Sequence, residues 1–336
     1  MNRFRRCTII IICTLGLLTL VMVSGCGIIG FDLNDDSIGS GSSQQPQPSH
    51  TEQEMPSTET LANAVVVLPE ILVPTASGVA VEENGEAVID FSNKQDGYIM
   101  AKYLEPTDLK VKLLIMGPDG VQYTYAIHTG RDFEVFPLSS GNGTYEVGVF
   151  KQVEGTRYAM VLSTTIDVTL VDEFAPFLRP NQFVNFDQNS NAVLKAAELT
   201  AGKIEFMDRV SAIYHYVITH IIYDIELAET VQNDYLPDVD RILASGKGIC
   251  FDYAALMSAM LRSQEIPTKL VIGYAGEQYH AWISVYCKED GWLDNVIHFD
   301  GHNWELVDPT FAASGSASNV AQYIGDGQNY TVLFVH

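Results

Sequence analysis

The sequence predicts a multidomain chain, with an N-terminal antiparallel β-sandwich followed by a C-terminal α+β domain. Three observations carry that expectation. Between about Val79 and Asp172, short alternating runs are separated by glycine turns at near-regular spacing. From about Pro176 the pattern turns to helical periodicity and then back to strands. The 336 residues are 47% hydrophobic and only 18% charged, enough for two cores and too apolar for a wholly disordered chain.

The chain opens with an export signature. Arg3, Arg5 and Arg6 precede an apolar run from Thr8 to Val23, which ends in Val23-Ser24-Gly25-Cys26. A positive start, an apolar middle and small residues before a cleavage point are what a signal peptidase accepts, so residues 1–25 read as a signal peptide. A cysteine just after them resembles the bacterial lipoprotein signal. That resemblance implies cleavage before Cys26 and a diacylglyceryl group on its sulfur. Buried acyl chains contribute roughly 0.8 kcal/mol per CH₂, so several of them hold a protein on a membrane. The alternative is an uncleaved helix, the run being near the lower limit of about 17 residues for spanning. Both readings leave the arginines inside and place the rest outside the cytoplasm. The expected localisation is therefore extracytoplasmic, lipid-anchored to the cell membrane. Cys7 and Cys13 are apolar residues of this segment.

Residues 26–76 read as a flexible Ser/Gln/Pro-rich linker. Their central stretch, 34–62, cannot bury enough apolar area to offset its ordering entropy. It is a tether that holds the folded part off the membrane.

Residues 77–172 are expected to form the sandwich. The strands are Ala87–Phe91, Tyr98–Tyr103, Val111–Met116, Val121–His128, Thr144–Phe150 and Val161–Val171. Turns such as Asn84-Gly85, Asp96-Gly97 and Pro118-Asp119-Gly120 separate them. Six short strands at this spacing suggest an Ig-like sandwich. No His, Cys or carboxylate cluster stands out in them, so the module reads as an accessory or spacer.

Residues 173–336 carry the mixed pattern. Ile204, Met207, Val210, Ile213, Tyr214, Val217 and Ile221 give 203–222 one apolar helical face. A second helix is predicted over 251–264, stopping before Pro267. Strands follow at Lys269–Tyr274, Tyr279–Tyr286, Val296–Asp300, Trp304–Val307 and Tyr330–Val335.

Three residues in this half carry chemistry. Cys250 follows Gly246-Lys247-Gly248-Ile249, where two glycines let the backbone turn just ahead of the helix. A thiol at a helix N-terminus feels the positive end of the dipole, which favours the nucleophilic thiolate. Alone, it reads sooner as a buried structural cysteine. His280 lies in Tyr279-His280-Ala281-Trp282, on a strand face shared with Trp282, Ser284 and Tyr286. A neutral imidazole there can take the thiol proton. Asp308 precedes Pro309 at a strand end, and a carboxylate on the far ring nitrogen would fix the histidine tautomer and support its charge. Singly, the two are a satisfied core histidine and a turn aspartate.

Together, these motifs resemble the transglutaminase-like superfamily of cysteine enzymes. The likeness rests on Gly-Ile-Cys-Phe-Asp-Tyr-Ala at 248–254, His-Ala-Trp at 280–282 and Asp-Pro-Thr at 308–310. Ile266-Pro267, the run 271–274 and Asp300-Gly301 before Trp304 fit as well, and the likeness covers about residues 177–336. It implies a transglutaminase-like, papain-like α+β fold. It also implies Cys250 as nucleophile, His280 as acid/base and Asp308 as its orienter, with the oxyanion held by the Cys250 N–H and a second donor, Tyr223. The expected activity is attack on amide bonds of peptides or proteins at the cell envelope through a thioester acyl-enzyme, ending in hydrolysis or transamidation. Because the superfamily includes dead relatives, the alternative is an inactive binding or scaffolding lipoprotein. No cofactor is expected.

Other patterns are weaker. His298-x-Asp300-x-His302 has a metal-like spacing, but Asp300-Gly301 is a hairpin turn signal. His215 and His220 lie five apart on one helix, not at the i, i+4 spacing of a zinc pair. Asp234, Asp238 and Asp240 lack the glycine and terminal glutamate of a calcium loop, and read as a solvated loop. Asp252 sits in the first turn of the Cys250 helix and reads as structural. Cys287 reads as a free, partly buried thiol, the alternative being a disulfide with Cys250. A formal charge of −23 makes nucleic acid an excluded partner, because every approach to the phosphate backbone is repulsive.

Overall fold

The computed structural model describes residues 66, 68–294, 298–299, 304–305, 308–314 and 329–336. The signal peptide, Cys26 and most of the linker lie outside the described residues. The last part of the expected linker does not behave as one. Gln188 holds the backbone at both Pro69 and Ile71, accepting from the Ile71 N–H and donating to the Pro69 carbonyl. Ile71 is buried in the C-terminal core, and the Thr75 N–H donates to the Tyr98 hydroxyl. Composition could not reveal this, because the fastening groups come from far along the chain.

Eight strands follow: β1 (Val81–Glu83), β2 (Ala87–Asp90), β3 (Tyr98–Tyr103), β4 (Val111–Met116), β5 (Gln122–Ile127), β6 (Glu134–Pro137), β7 (Gly143–Glu154) and β8 (Arg157–Val168). They form two antiparallel sheets, ordered β1-β2-β3-β6 and β5-β4-β7-β8. Alternate side chains of both sheets share one core, which includes Ile89, Ile99 and Phe136 from the first and Leu113, Tyr145 and Val149 from the second. Tyr145, near the start of β7, donates its hydroxyl to the Gly141 carbonyl at 2.7 Å. Two strands escaped the sequence pattern. β1 is three residues at an edge and β6 is four residues ending on Pro137, both too short to display alternation.

The second half comprises α1 (Asn191–Thr200), α2 (Phe206–His220), β9 (Ile222–Tyr223), α3 (Ile225–Thr230), α4 (Val239–Ser245), β10 (Lys247–Gly248) and α5 (Cys250–Arg262). Then come β11 (Thr268–Ala275), β12 (Gln278–Cys287), β13 (Gly291–Asp294), β14 (His298–Phe299), β15 (Trp304–Glu305), α6 (Pro309–Ser314) and β16 (Tyr330–Val335). An antiparallel sheet ordered β13-β12-β11-β16 packs against α5. That helix is buried from Asp252 to Arg262, which explains why its sequence is apolar nearly all round. Asp224 caps α3 and Asp238 caps α4, each accepting from a backbone N–H three residues on. Asp240 accepts from the Ala192 N–H in the first turn of α1. Two of the three aspartates once open to a calcium reading are thus committed to helix starts.

The two cores adjoin. Phe183 and Phe334 pack against both. Arg262, fully buried, donates to the carbonyls of Thr268, Arg179 and His336 at 2.7–2.9 Å. Its guanidinium therefore ties the end of α5 to the crossover segment and to the strand edge. Burial pulls its pKa down to about 9. Three carbonyl oxygens, in place of a carboxylate, hold the charge. Among the described residues, no helix is long and apolar enough to cross a membrane.

Candidate active site

The approach to Cys250 is built by a short parallel ladder. Ile222 and Tyr223 pair with Lys247 and Gly248, and the Asp224 N–H donates to the Gly248 carbonyl at 2.9 Å. Gly246 ends α4 in the left-handed region at φ 64°, a conformation that glycine adopts without Cβ strain. Ile249 is extended, and α5 then begins at Cys250 itself. The Asp252 carboxylate bends back to accept from the Ile249 N–H at 2.9 Å, fixing the first turn.

Asp252 is wholly buried and serves the helix rather than the thiol. Its other oxygen accepts from the Tyr235 hydroxyl at 2.5 Å, and Arg241 lies 3.5 Å away while also bonding the Tyr235 oxygen. Burial pushes its carboxyl up, against the pull of Tyr235, the Ile249 N–H and Arg241. The structural reading of Asp252 stands, with partners that the sequence did not reveal. A Cβ on Gly248 would lie 2.5 Å from the Asp252 Cβ, and this side chain is pinned at both oxygens. We expect Gly248→Ala to cost about 1–3 kcal/mol in urea unfolding, the usual scale of overpacking, and to slow reactions at the Cys250 thiol.

His280 and Asp308 meet in the core. The His280 Nε2 and the Asp308 Oδ2 are 2.8 Å apart, and both residues are at most 3% exposed. The other Asp308 oxygen accepts from the Thr310 N–H at 2.8 Å, fixing the carboxylate at the start of α6. Trp282 stacks along His280 with ring centroids 6.0 Å apart, so the shared strand face read from the sequence holds the imidazole plane. Burial opposes a charged ring here. The charge of Asp308, its hydrogen bond, and the hydrogen bond and charge of Cys250 outweigh burial and push the His280 pKa up to about 10. Nε2 is the ring nitrogen committed to Asp308, so Nδ1 is directed away from that carboxylate.

Cys250 is half-exposed and opens, with His280, into a cavity of about 510 Å³. Tyr223, the expected second oxyanion donor, lines the same cavity, as do Tyr235, Tyr279 and Phe251. The lining also includes Tyr123, Thr124, Tyr125 and Ala126 of β5. Nothing in the sequence marked those residues, since they lie more than a hundred positions before Cys250.

The remaining candidates do not join the site. Cys287 sits at the far end of β12 from His280, about 23 Å along the strand at 3.3 Å per residue. A disulfide needs Cα atoms within about 7 Å, so a bridge to Cys250 is excluded, and both thiols are free. The Cys287 thiol donates to Glu289, and burial pushes its pKa up. The His220 ring stacks on Tyr216 on the surface of α2. Strands β14 and β15 pair antiparallel, and Asp300 and His302 lie outside the described residues. Among the described residues there is no group of three or more potential metal ligands.

Residues 195–295, which contain Cys250 and His280, match the transglutaminase-like superfamily. This region is a transglutaminase-like domain. It takes in α1 to α5 and the sheet as far as β13, while Asp308 lies beyond it. Two relatives match the chain over stretches of about 120 residues. The uncharacterized protein YebA of Bacillus subtilis (strain 168) is 29% identical over 118 residues, covering 29% of this chain and 16% of that protein. Kyphoscoliosis peptidase of Mus musculus is 29% identical over 119 residues, covering 32% and 16%. The chain thus spans about a sixth of the length of these curated relatives. Among solved structures, a candidate cysteine protease of Cytophaga hutchinsonii aligns over 76% of this chain and 78% of its own, at 18% identity and a TM-score of 0.35. Red sea bream transglutaminase aligns over 69% and 49%, at 13% identity and a TM-score of 0.26.

Proposed function

We propose that this chain is a cysteine enzyme tethered outside the cytoplasm, opening amide bonds of peptides or proteins through a thioester acyl-enzyme. The observation that carries this reading is His280, which lines the cavity into which Cys250 opens and is held from behind by buried Asp308 at 2.8 Å. The Cys250 sulfur adds to the amide carbonyl, and the oxyanion is received by the Cys250 N–H and Tyr223. The charged His280 ring gives its proton to the leaving amine as the C–N bond breaks, leaving a thioester. Water or a second amine then attacks the thioester, His280 takes up the proton, and the sulfur leaves. Water gives hydrolysis and an amine gives transamidation.

Asp308 stabilises the charged ring and fixes its orientation. An inactive scaffold has no need of an open path to the sulfur, so the cavity at Cys250 favours an enzyme. The two-sheet module reads as Ig-like. Its support is the pairing of β2-β3-β6 and β5-β4-β7-β8, together with the Tyr145 hydroxyl bonded four residues upstream, as in the tyrosine corner of such folds. Lipidation at Cys26 would place the enzyme on the membrane surface, facing envelope proteins.

Iodoacetamide labelling followed by peptide mass spectrometry tests the activated thiol. Cys250 should alkylate roughly 10-fold or more faster than Cys287 at neutral pH, because a half-exposed sulfur beside a charged imidazole attacks where a buried thiol does not. His280→Ala should remove that advantage. Equal rates in the wild type and in His280→Ala would sink the proposal.

A further inference from the structure

We propose that the β5 edge of the N-terminal module is the docking strand for the substrate, which binds as an extended segment of polypeptide adding to the sheet beside Cys250. The inference rests on the enzyme reading above and names the substrate's form. Strand β5 is the last strand of its sheet, with β4 on one side only. Two observations fix which of its backbone groups turn away from β4. The Gly117 N–H donates to the Val121 carbonyl at 3.0 Å, so that pair is hydrogen-bonded, as by alternation are Ile115–Tyr123 and Leu113–Tyr125. The residues between them, Gln122, Thr124 and Ala126, must direct N–H and C=O outward. The Gln182 side chain confirms this by donating to the Ala126 carbonyl at 2.7 Å from outside the sheet.

Thr124 therefore presents a backbone donor and acceptor on the free edge, is exposed, and lines the cavity that contains Cys250 and His280. Among the described residues, no hydrogen bond occupies either group. Natural edges are normally blunted by lysine, proline or a bulge, and Gln122–Ile127 has none of these. Strand addition uses such an edge for main-chain hydrogen bonds and flanking pockets for alternate side chains. The pockets here are aromatic, with Phe183, Phe251, Tyr279 and Phe334 around the strand. Among the described residues the lining includes Asp234 and no lysine or arginine, and the chain is strongly acidic. The occupant is accordingly an apolar or basic extended segment, not an acidic one.

Chloromethyl ketones on the full-length protein test this, with Cys250 alkylation read by mass spectrometry. The probes are acetyl-Val-Tyr-Val-Gly chloromethyl ketone, the same peptide with one backbone N-methyl at each position in turn, and acetyl-Gly chloromethyl ketone. The peptidyl probe should react faster than the short one. N-methylation at one position should slow it roughly 3- to 10-fold, the scale of one net hydrogen bond. Thr124→Pro removes only an outward N–H, which an edge strand tolerates. It should lower the ratio of the peptidyl rate to the short-probe rate to the same extent, while Thr124→Val, which keeps the N–H, should preserve that ratio. A peptidyl advantage untouched by Thr124→Pro and by every N-methyl overturns the proposal and leaves the enzyme reading intact, as does the absence of any peptidyl advantage. A peptidyl rate that falls as protein concentration rises gives the edge to a second copy, and also overturns it. Failure of the short probe to label Cys250 faster than free cysteine overturns the enzyme reading, and this inference with it.

Discussion

Cys250→Ala should remove turnover of any amide substrate by at least about 10⁴-fold, the loss seen when a unit of interdependent catalytic groups loses its nucleophile. Fold and stability should be nearly unchanged. The side chain is half-exposed at the first position of α5, where alanine is a good helix former, and the turn is held by Asp252 and Gly248 instead. A substrate library scored separately for cleavage and for crosslinking checks the first claim, and thermal unfolding checks the second. Retention of turnover above about 1% would mean that the sulfur is not the reacting atom. The separate scores also divide the two fates of the thioester, because hydrolysis yields a carboxylate and transamidation a new amide.

Asp308→Asn should lower turnover on the order of 10³–10⁴-fold while leaving the protein folded. The amide keeps the shape and can still accept from Thr310, but it no longer offers a charge to the imidazole. Without that charge, burial dominates at His280 and favours the neutral ring. The effect has a pH signature with a definite sign. In the wild type the folded His280 pKa is raised to about 10, above the ordinary unfolded value near 6.5. The native state therefore holds a proton that the unfolded chain has lost, and this contribution to stability is complete below about pH 6.5. It declines as pH rises toward 10 and is gone above it. Urea midpoints measured from pH 6 to 11 should show that decline in the wild type and lack it in Asp308→Asn. Amide turnover should fall above pH 10 as the ring loses the proton it must donate, while alkylation of Cys250 should not. Identical stability profiles for the two proteins would refute the assignment of Asp308 as the charge partner.

The thiol, the imidazole and the carboxylate of the candidate site each stand at a place with a local mark. Two glycines precede Cys250, a strand of buried residues carries His280, and Pro309 follows Asp308. The elements around them were equally legible. The spacing predicts a helix over 203–222 and another over 251–264, against observed bounds of Phe206–His220 and Cys250–Arg262. Long periodic segments repeat their signal over several turns, so their type survives an error of two or three residues at the ends. Helices α3 and α4 are six and seven residues long and repeat nothing, and what starts them is a single capping aspartate each. The Tyr235–Arg241 clasp on Asp252 left no trace in the pattern, because a tyrosine in a loop carries the same local signal whatever it touches.

By itself, the sequence determined the order of the two modules, the main strands and helices, and the three positions where thiol, imidazole and carboxylate are placed. The elements follow from side-chain period, turn chemistry and the backbone freedom of glycine, and the three positions from motifs that resemble the transglutaminase-like superfamily. Only the tertiary structure decided that the His280 ring reaches Asp308, that residues 69–76 are fastened rather than free, and that β5 walls the cavity of a cysteine 126 positions later. Those contacts join parts of the chain whose residues exert no local influence on one another. They exist because two apolar cores, meeting at Phe183 and Phe334, bury more surface together than apart.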